Sequence, residues 1–209
     1  LCGAAMAQAA AAGATLLQNV RIFDGKSASL SGPSHVLVRG DVIERISAMP
    51  IAPPPSATVV DGQGRTLMPG LIDNHWHTML AAPSMALTME GDLGYLTLLA
   101  AAEARATLMR GFTTVRDLGG PSFALKRAID EGLVAGPRIY PSGAMITTSG
   151  GHGDLRLQTE FPRDGGRLSK GELFGGAASV DSVGDLQMRI REQLLQGASQ
   201  IKLMGGGGV

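Results

Sequence analysis

Strand-like and helix-like stretches take turns along this chain, and their order predicts its layers. Residues 15–23 (TLLQNVRIF) and 36–46 (VLVRGDVIERI) read as strands, the second as two strands joined at Arg39-Gly40-Asp41. The Gly/Ser/Pro-rich GKSASLSGPS between them is a loop. A proline-broken linker, Pro50 to Pro55, leads into ATVVDGQGRTLMPG. From Thr66 onward strand and helix signals alternate. An apolar strand runs through Leu71-Ile72 into His75 and His77, and a helix rich in Ala, Leu, Glu and Arg follows over Asp92–Arg110, stopped by Gly111. Strand FTTVRD comes next, then a helix opened by Pro121 and closed near Gly132, then strand PRIYPSG. A helix over Ser182–Gln196 takes Asp181 or Ser182 as its cap and Gly197 as its stop, and SQIKLM is the last strand. Such alternation implies parallel strands joined by right-handed crossovers, an α/β fold class. The stretch from Thr147 to Ser179 is too long for an ordinary connection and is expected to form a lid.

The candidate chemistry lies at the strand ends. A strand turns successive side chains to opposite faces, so Asp73, His75 and His77 are expected on one face and Ile72, Asn74 and Trp76 on the other. Two imidazoles two positions apart can converge on a single cation, and the strand holds both backbones rigid. A polar strand end with no ligand is the plain alternative. The apolar strand, the preceding Pro69-Gly70 and the nearby acid favour a metal site. Asp73 is better placed to orient that site by hydrogen bonding than to bind metal, with an ion pair to an arginine as its structural alternative. Around Lys202, the apolar Ile201 and Leu203 suit a helix-facing side, which directs the lysine inward, where an unpaired ammonium is costly. Burial and a nearby cation both favour the neutral amine; pairing with an inward acid is the alternative. His152, in TTSGGHGD (147–154), follows the third of the alternating strands and is a candidate substrate contact, perched on a loop where a histidine is otherwise merely solvated. Arg116 and Asp117 end the second of those strands, and periodicity does not decide which one faces inward. His35 is expected at the surface. The glycines at 205–208 are not followed by Lys-Ser/Thr, so they form no phosphate loop; they suit a close approach of backbone to the site.

The run PGLIDNHWH (69–77) resembles the first-strand signature of the amidohydrolase superfamily. GFTTVRDLGG (111–120), TTSGGHGD (147–154) and QIKLMGGGG (200–208) resemble its imidazolonepropionase-like and Xaa-Pro dipeptidase (prolidase-like) branch. Four motifs in order, within a match from Ala14 to Val209, make the resemblance specific. It implies the N-terminal half of a (β/α)8 TIM barrel, with about four strands present, beside part of a small β-sandwich built from both chain termini. The divisions expected are 1–13 as a signal remnant or disordered start, 14–66 as partial sandwich and 67–209 as half-barrel, with a four-stranded open sheet as the alternative. It further implies two divalent metal ions, expected to be Zn2+, held by His75, His77 and Lys202, the lysine carrying a CO2-derived carbamate that bridges them. The family's further ligands and its general base are expected beyond Val209, so no catalytic base is assigned here and the fragment alone is expected to be inactive. The activity implied is hydrolysis of C–N bonds, with dipeptides ending in proline or another hydrophobic residue as substrates. A mononuclear imidazolonepropionase or deaminase is the runner-up, though Lys202 argues against a site that needs no bridge. A non-catalytic scaffold is the third reading.

Composition narrows the partners. Lys+Arg and Asp+Glu balance at 18 each and aromatics make up 4%, which leaves neither a basic field nor stacking surfaces for nucleic acid. Hydrophobic content of 44% suits a folded domain, and no apolar run is long enough to span a membrane. A small-molecule or dipeptide substrate is the partner expected; a homo-oligomer is left open. The start LCGAAMAQAAAAGA resembles the tail of a secretory signal, with Ala5-Met6-Ala7 and Ala7-Gln8-Ala9 as A-x-A sites, which predicts a periplasmic or secreted protein, with a cytoplasmic one as alternative. Cys2 is the only cysteine, so a mature chain without it holds no disulfide; lipid attachment at Cys2 stays open.

Overall fold

The structure, a computed structural model, describes residues 13–160 and 167–206. The leader-like start with Cys2, and the end of the terminal glycine run, lie outside the described residues. The chain divides into two compact units between Pro69 and Gly70.

The first unit is a mixed sheet centred on β1 (Ala14–Ile22). β2 (Ser34–Arg39) pairs antiparallel with β1, and β3 (Val42–Ser47) antiparallel with β2. β4 (Thr58–Asp61) and β5 (Thr66–Leu67) both run parallel to β1, along its first and last parts. Register against β2 slips between Leu17 and Val20, where Asn19 takes a positive φ of 51° and its side-chain amide donates to Asp61 at 3.1 Å. Asparagine tolerates that backbone because its short side chain can bond locally. Ala14, Leu16, Leu37 and Ile51 form the core. His35, expected at the surface, is half-buried on β2, with Nδ1 enclosed and without a partner. Alternation explains this: His35 shares the face of Leu37, a core residue two positions on, while Ser34 and Val36 are buried on the opposite face.

The second unit is α/β. β6 (Leu71–Trp76), β7 (Phe112–Asp117) and β8 (Arg138–Pro141) form a parallel sheet in chain order. Between them run α1 (Met85–Glu90), α2 (Leu93–Met109) and α3 (Phe123–Asp130). The α2 cap is Asp92, whose carboxylate accepts the Tyr95 amide at 3.0 Å. Leu96, Ala100 and Ala104 then fall on one stripe and pack against Val115 of β7 and Ile139 of β8, with Leu125 of α3 completing the layer.

The chain past β8 departs from the sequence reading. After Ser142–Ala144 the same strand line resumes as β9 (Met145–Thr147), which pairs in parallel with β10 (Ala177–Ser179). Residues 161–166 of the stretch read as a lid lie outside the described residues; in its described part, α4 (Lys170–Phe174) carries a full capping box between Ser169 and Glu172, and Phe174 is buried in the main core. Arg156 and Asp154 form an ion pair with both side chains nearly inaccessible, and those hydrogen bonds hold the Asp154 carboxyl down to about 2. Length and polarity suggested a loop; a buried charge pair and one turn of helix fold it down instead. α5 (Val183–Leu195) starts at Ser182, whose hydroxyl accepts the Asp185 amide at 3.1 Å, so Ser182 is the cap. The final segment, read as a strand over 199–204, makes only one parallel bridge, Leu203 to Ile146. Its bonds alternate with β9 nonetheless: Ile146 N–H to Lys202 O at 2.9 Å and Met204 N–H to Ile146 O at 2.8 Å. One bonded neighbour, with Leu203 59% exposed, is too little ladder for a full strand.

Candidate functional site

The two histidines end the first strand of the parallel sheet. Trp76 sits in register with Asp117 and packs toward the helices, so His75 and His77 on either side of it turn away from them. Their ring centroids are 5.4 Å apart and the planes are tilted by 57°. An ion held at roughly 2.1 Å by one nitrogen of each ring lies about 3 Å from each centroid, and a tetrahedral angle then sets the centroids about 5 Å apart. The observed spacing fits a shared ion. The structure corrects the alternation expected for Asp73. Between Asp73, in register with Val115, and Trp76, in register with Asp117, two residues of β6 oppose one of β7, a bulge that breaks the alternation. Its carboxylate accepts the backbone amide of His75 at 2.9 Å, a local turn contact, and so braces the strand end rather than an imidazole.

Burial, followed by the charges of His75 and Lys202, pushes the His77 pKa down. Those causes place Lys202 within electrostatic reach of His77 and keep the ring neutral, the form that offers a lone pair. The floor beneath His77 is the Gly119 backbone: a Cβ there would lie 3.2 Å from Nδ1 and 2.8 Å from Met145 Cγ. His77 Nδ1 is enclosed at that point without a well-formed hydrogen bond.

Ile201 joins a cluster with Ile146 and Leu186 of α5 and so faces the helices. Gln200 and Lys202, its neighbours, face the other way, the side to which His75 and His77 turn. Among the described residues Lys202 has no ion pair, which removes the inward-acid alternative within that range. His152 is exposed on its loop, and its amide donates to Gly206 O at 3.1 Å, tying that loop to the chain just past Lys202. Arg116 is exposed, its Nε donating to Asn74 O at 2.7 Å, while Asp117 is fully buried on the helix side. Neither periodicity nor charge had separated those two. The signal was Val115: two residues earlier on the same face, it is a core residue, and Asp117 follows it inside. Burial raises the Asp117 carboxyl to about 6.

Residues 66–209 match the family model described as the amidohydrolase family. The chain belongs to that family. The ochratoxinase of Aspergillus niger is 32% identical over 154 residues, covering 68% of this chain and 32% of that protein. A solved prolidase complexed with N-methylphosphonate-L-proline superposes with a TM-score of 0.81 at 34% identity, covering 94% of this chain and 47% of that one. A Xaa-Pro dipeptidase with methionine bound in its active site gives a TM-score of 0.74 at 27% identity, over 94% of this chain and 48% of that one. This amidohydrolase chain therefore spans about half the length of those solved relatives. Among its described residues no three His, Cys, Asp or Glu side chains converge as a metal-binding group, and no helix is long and apolar enough to cross a membrane. What it does show is two imidazoles 5.4 Å apart, with Lys202 within electrostatic reach of His77.

Proposed function

We propose that the protein is a metal-dependent hydrolase of C–N bonds, an Xaa-Pro dipeptidase-like amidohydrolase, and that this chain is the first half of its (β/α)8 barrel with part of a flanking β-sandwich. The barrel reading is supported by four parallel segments, β6, β7, β8 and the Lys202 segment, each separated from the next by helix.

His75 and His77 would hold a first divalent ion, zinc by the nitrogen character of the donors. Lys202, as its neutral amine, would add to carbon dioxide: an N–C bond forms, a proton leaves the nitrogen for solvent, and the product carbamate presents two anionic oxygens to a pair of ions. When bound, the ions supply a hydroxide at neutral pH and polarise the scissile carbonyl. The chain's own residues prepare for this. The His77 environment keeps the imidazole unprotonated, Gly119 leaves room for the ring, and Asp73 fixes the His75 backbone. His152, exposed on the loop tied to Gly206, would meet the substrate's carboxylate.

One observation carries the reading: an imidazole pair 5.4 Å apart, with a lysine turned to the same side and close enough to depress His77. Similarity to the prolidase and the Xaa-Pro dipeptidase supports dipeptides with C-terminal proline as first substrates, and similarity to ochratoxinase adds ochratoxin to the panel. The test is metal analysis of the intact polypeptide together with hydrolysis of an Xaa-Pro panel, before and after chelation. Two metal equivalents and chelator-sensitive turnover are expected. One equivalent overturns the bridged site in favour of a mononuclear one, and an absence of metal-dependent turnover of any amide overturns the enzyme.

A further inference from the structure

Two residues outside the proposed ligand set tie the histidine strand to the lysine segment. Asp117 ends β7 with no exposure to solvent. Its Oδ1 accepts the backbone amide of Thr78, the residue directly after His77, at 3.3 Å. Its carbonyl accepts the side-chain amide of Gln200 at 3.2 Å, and the same nitrogen of Gln200 donates to Tyr140 O at 2.8 Å. Gln200 stands two residues before Lys202 and on the same face. Asp117 is thus bonded both to the backbone amide that follows His77 and to the side chain of Gln200, two residues before Lys202.

We propose that Asp117 and Gln200 are positioning residues, a brace that fixes the separation of His77 and Lys202 and so sets how tightly the site holds metal. The inference rests on the metal-site reading above. A buried carboxylate is costly; its one well-formed hydrogen bond from another residue is the 3.3 Å Thr78 amide contact, with the Ser122 and Thr78 hydroxyls and the Gly119 amide close by. Asp117 Oδ2, Thr78 Oγ1 and Ser122 Oγ are also enclosed without well-formed hydrogen bonds, so this corner does not persist for its own stability. Both hydrogens that Gln200 could use for stacking its own segment are turned toward carbonyls of β7 and β8 instead. The Lys202 segment has one bridge and a few backbone bonds to hold it beside β9, and the Gln200 contact adds a side-chain tie to β7 and β8.

The experiment measures zinc dissociation from the intact protein by chelator competition, alongside urea unfolding, for the parent and four variants. Partners behind metal ligands typically change affinity by about 10–100-fold when removed, so Gln200→Leu and Asp117→Ala should each weaken zinc at least about tenfold. Asp117→Asn keeps an oxygen for the Thr78 amide and should stay within about threefold of the parent. Leu125→Ala, a core truncation away from the site, should lose stability yet hold zinc within about twofold. Should Gln200→Leu fail to fold, Gln200→Asn, which withdraws the amide by one methylene, must still weaken zinc. Parental affinity in Gln200→Leu and Asp117→Ala, or an equal loss in Leu125→Ala, overturns the brace. A parent protein that takes up no zinc overturns the metal-site reading instead.

Discussion

Gly70 is the tightest contact at the entry to the histidine strand, and replacing it with alanine should show how little room β6 has. A Cβ at Gly70 would lie 2.0 Å from Thr113 Oγ1, 2.2 Å from Cγ2 and 2.6 Å from Cβ. Rotating Thr113 about its first torsion carries the two outer atoms away but leaves Cβ where it is. Ordinary contact begins near 3.4 Å, so the backbones of β6 and β7 must part by roughly 1 Å at this point. Leu71, the next residue, donates to Gly111 O at 2.8 Å, and the ladder to β7 resists that separation. Overpacking of this kind costs about 1–3 kcal/mol, and the upper end applies because the clash involves a fixed Cβ rather than a flexible tip. Urea denaturation of Gly70→Ala, Thr113→Gly and the double variant separates the clash from other effects. The single Gly70→Ala change should lose about 2–3 kcal/mol, and the double variant should recover at least about 1 kcal/mol of it relative to additivity. Parental stability in Gly70→Ala, or strict additivity in the cycle, would refute the argument.

Three further outcomes follow from the geometry. Burial raises Asp117 from 3.8 to about 6, so the native state keeps a proton that the unfolded chain releases between those values. Stability contributed by this group is therefore full below pH 3.8 and falls as pH rises to 6, by about 3 kcal/mol in all. Metal-free Asp117→Asn should escape that loss, and a stability difference from the parent that stays flat between pH 4.5 and 7.5 would sink the idea. Gly119→Ala should displace the His77 ring, seen as an altered imidazole titration by NMR; an unchanged titration would mean the floor is not rigid. Ser182→Ala should lower stability by about 1 kcal/mol through the α5 cap, with Ser182→Asp retaining most of it, as thermal unfolding would report.

What could be read in advance followed what is local. The helices at 93–109 and 183–195 begin at side-chain caps and end beside glycines, and the strands that pair over several residues were visible as apolar runs. The short elements were not. β9, β10 and α4 have three to five residues each and owe their form to partners far along the chain, such as the pairing of Met145–Thr147 with Ala177–Ser179 and the burial of Phe174 in the main core. At the candidate site, residue type alone made His75, His77 and Lys202 candidates, and the structure adds the 5.4 Å spacing of the two rings. The bulge that redirects Asp73 was not legible, since strict alternation has no way to register an extra residue opposite a neighbour. The contacts of Gln200 and Asp117 were equally silent, because hydrogen bonds to backbone amides and carbonyls of distant segments leave no spacing in the sequence to find.

The Gln200–Asp117 contact joins positions 83 residues apart. During synthesis at roughly 5–20 residues per second, the imidazole strand leaves the ribosome several seconds before its tether emerges. A nascent chain in that interval displays two adjacent histidines with no lysine to complete the set. On the proposed metal-site reading, capture of an ion by the full set would have to wait until residue 202 has been translated.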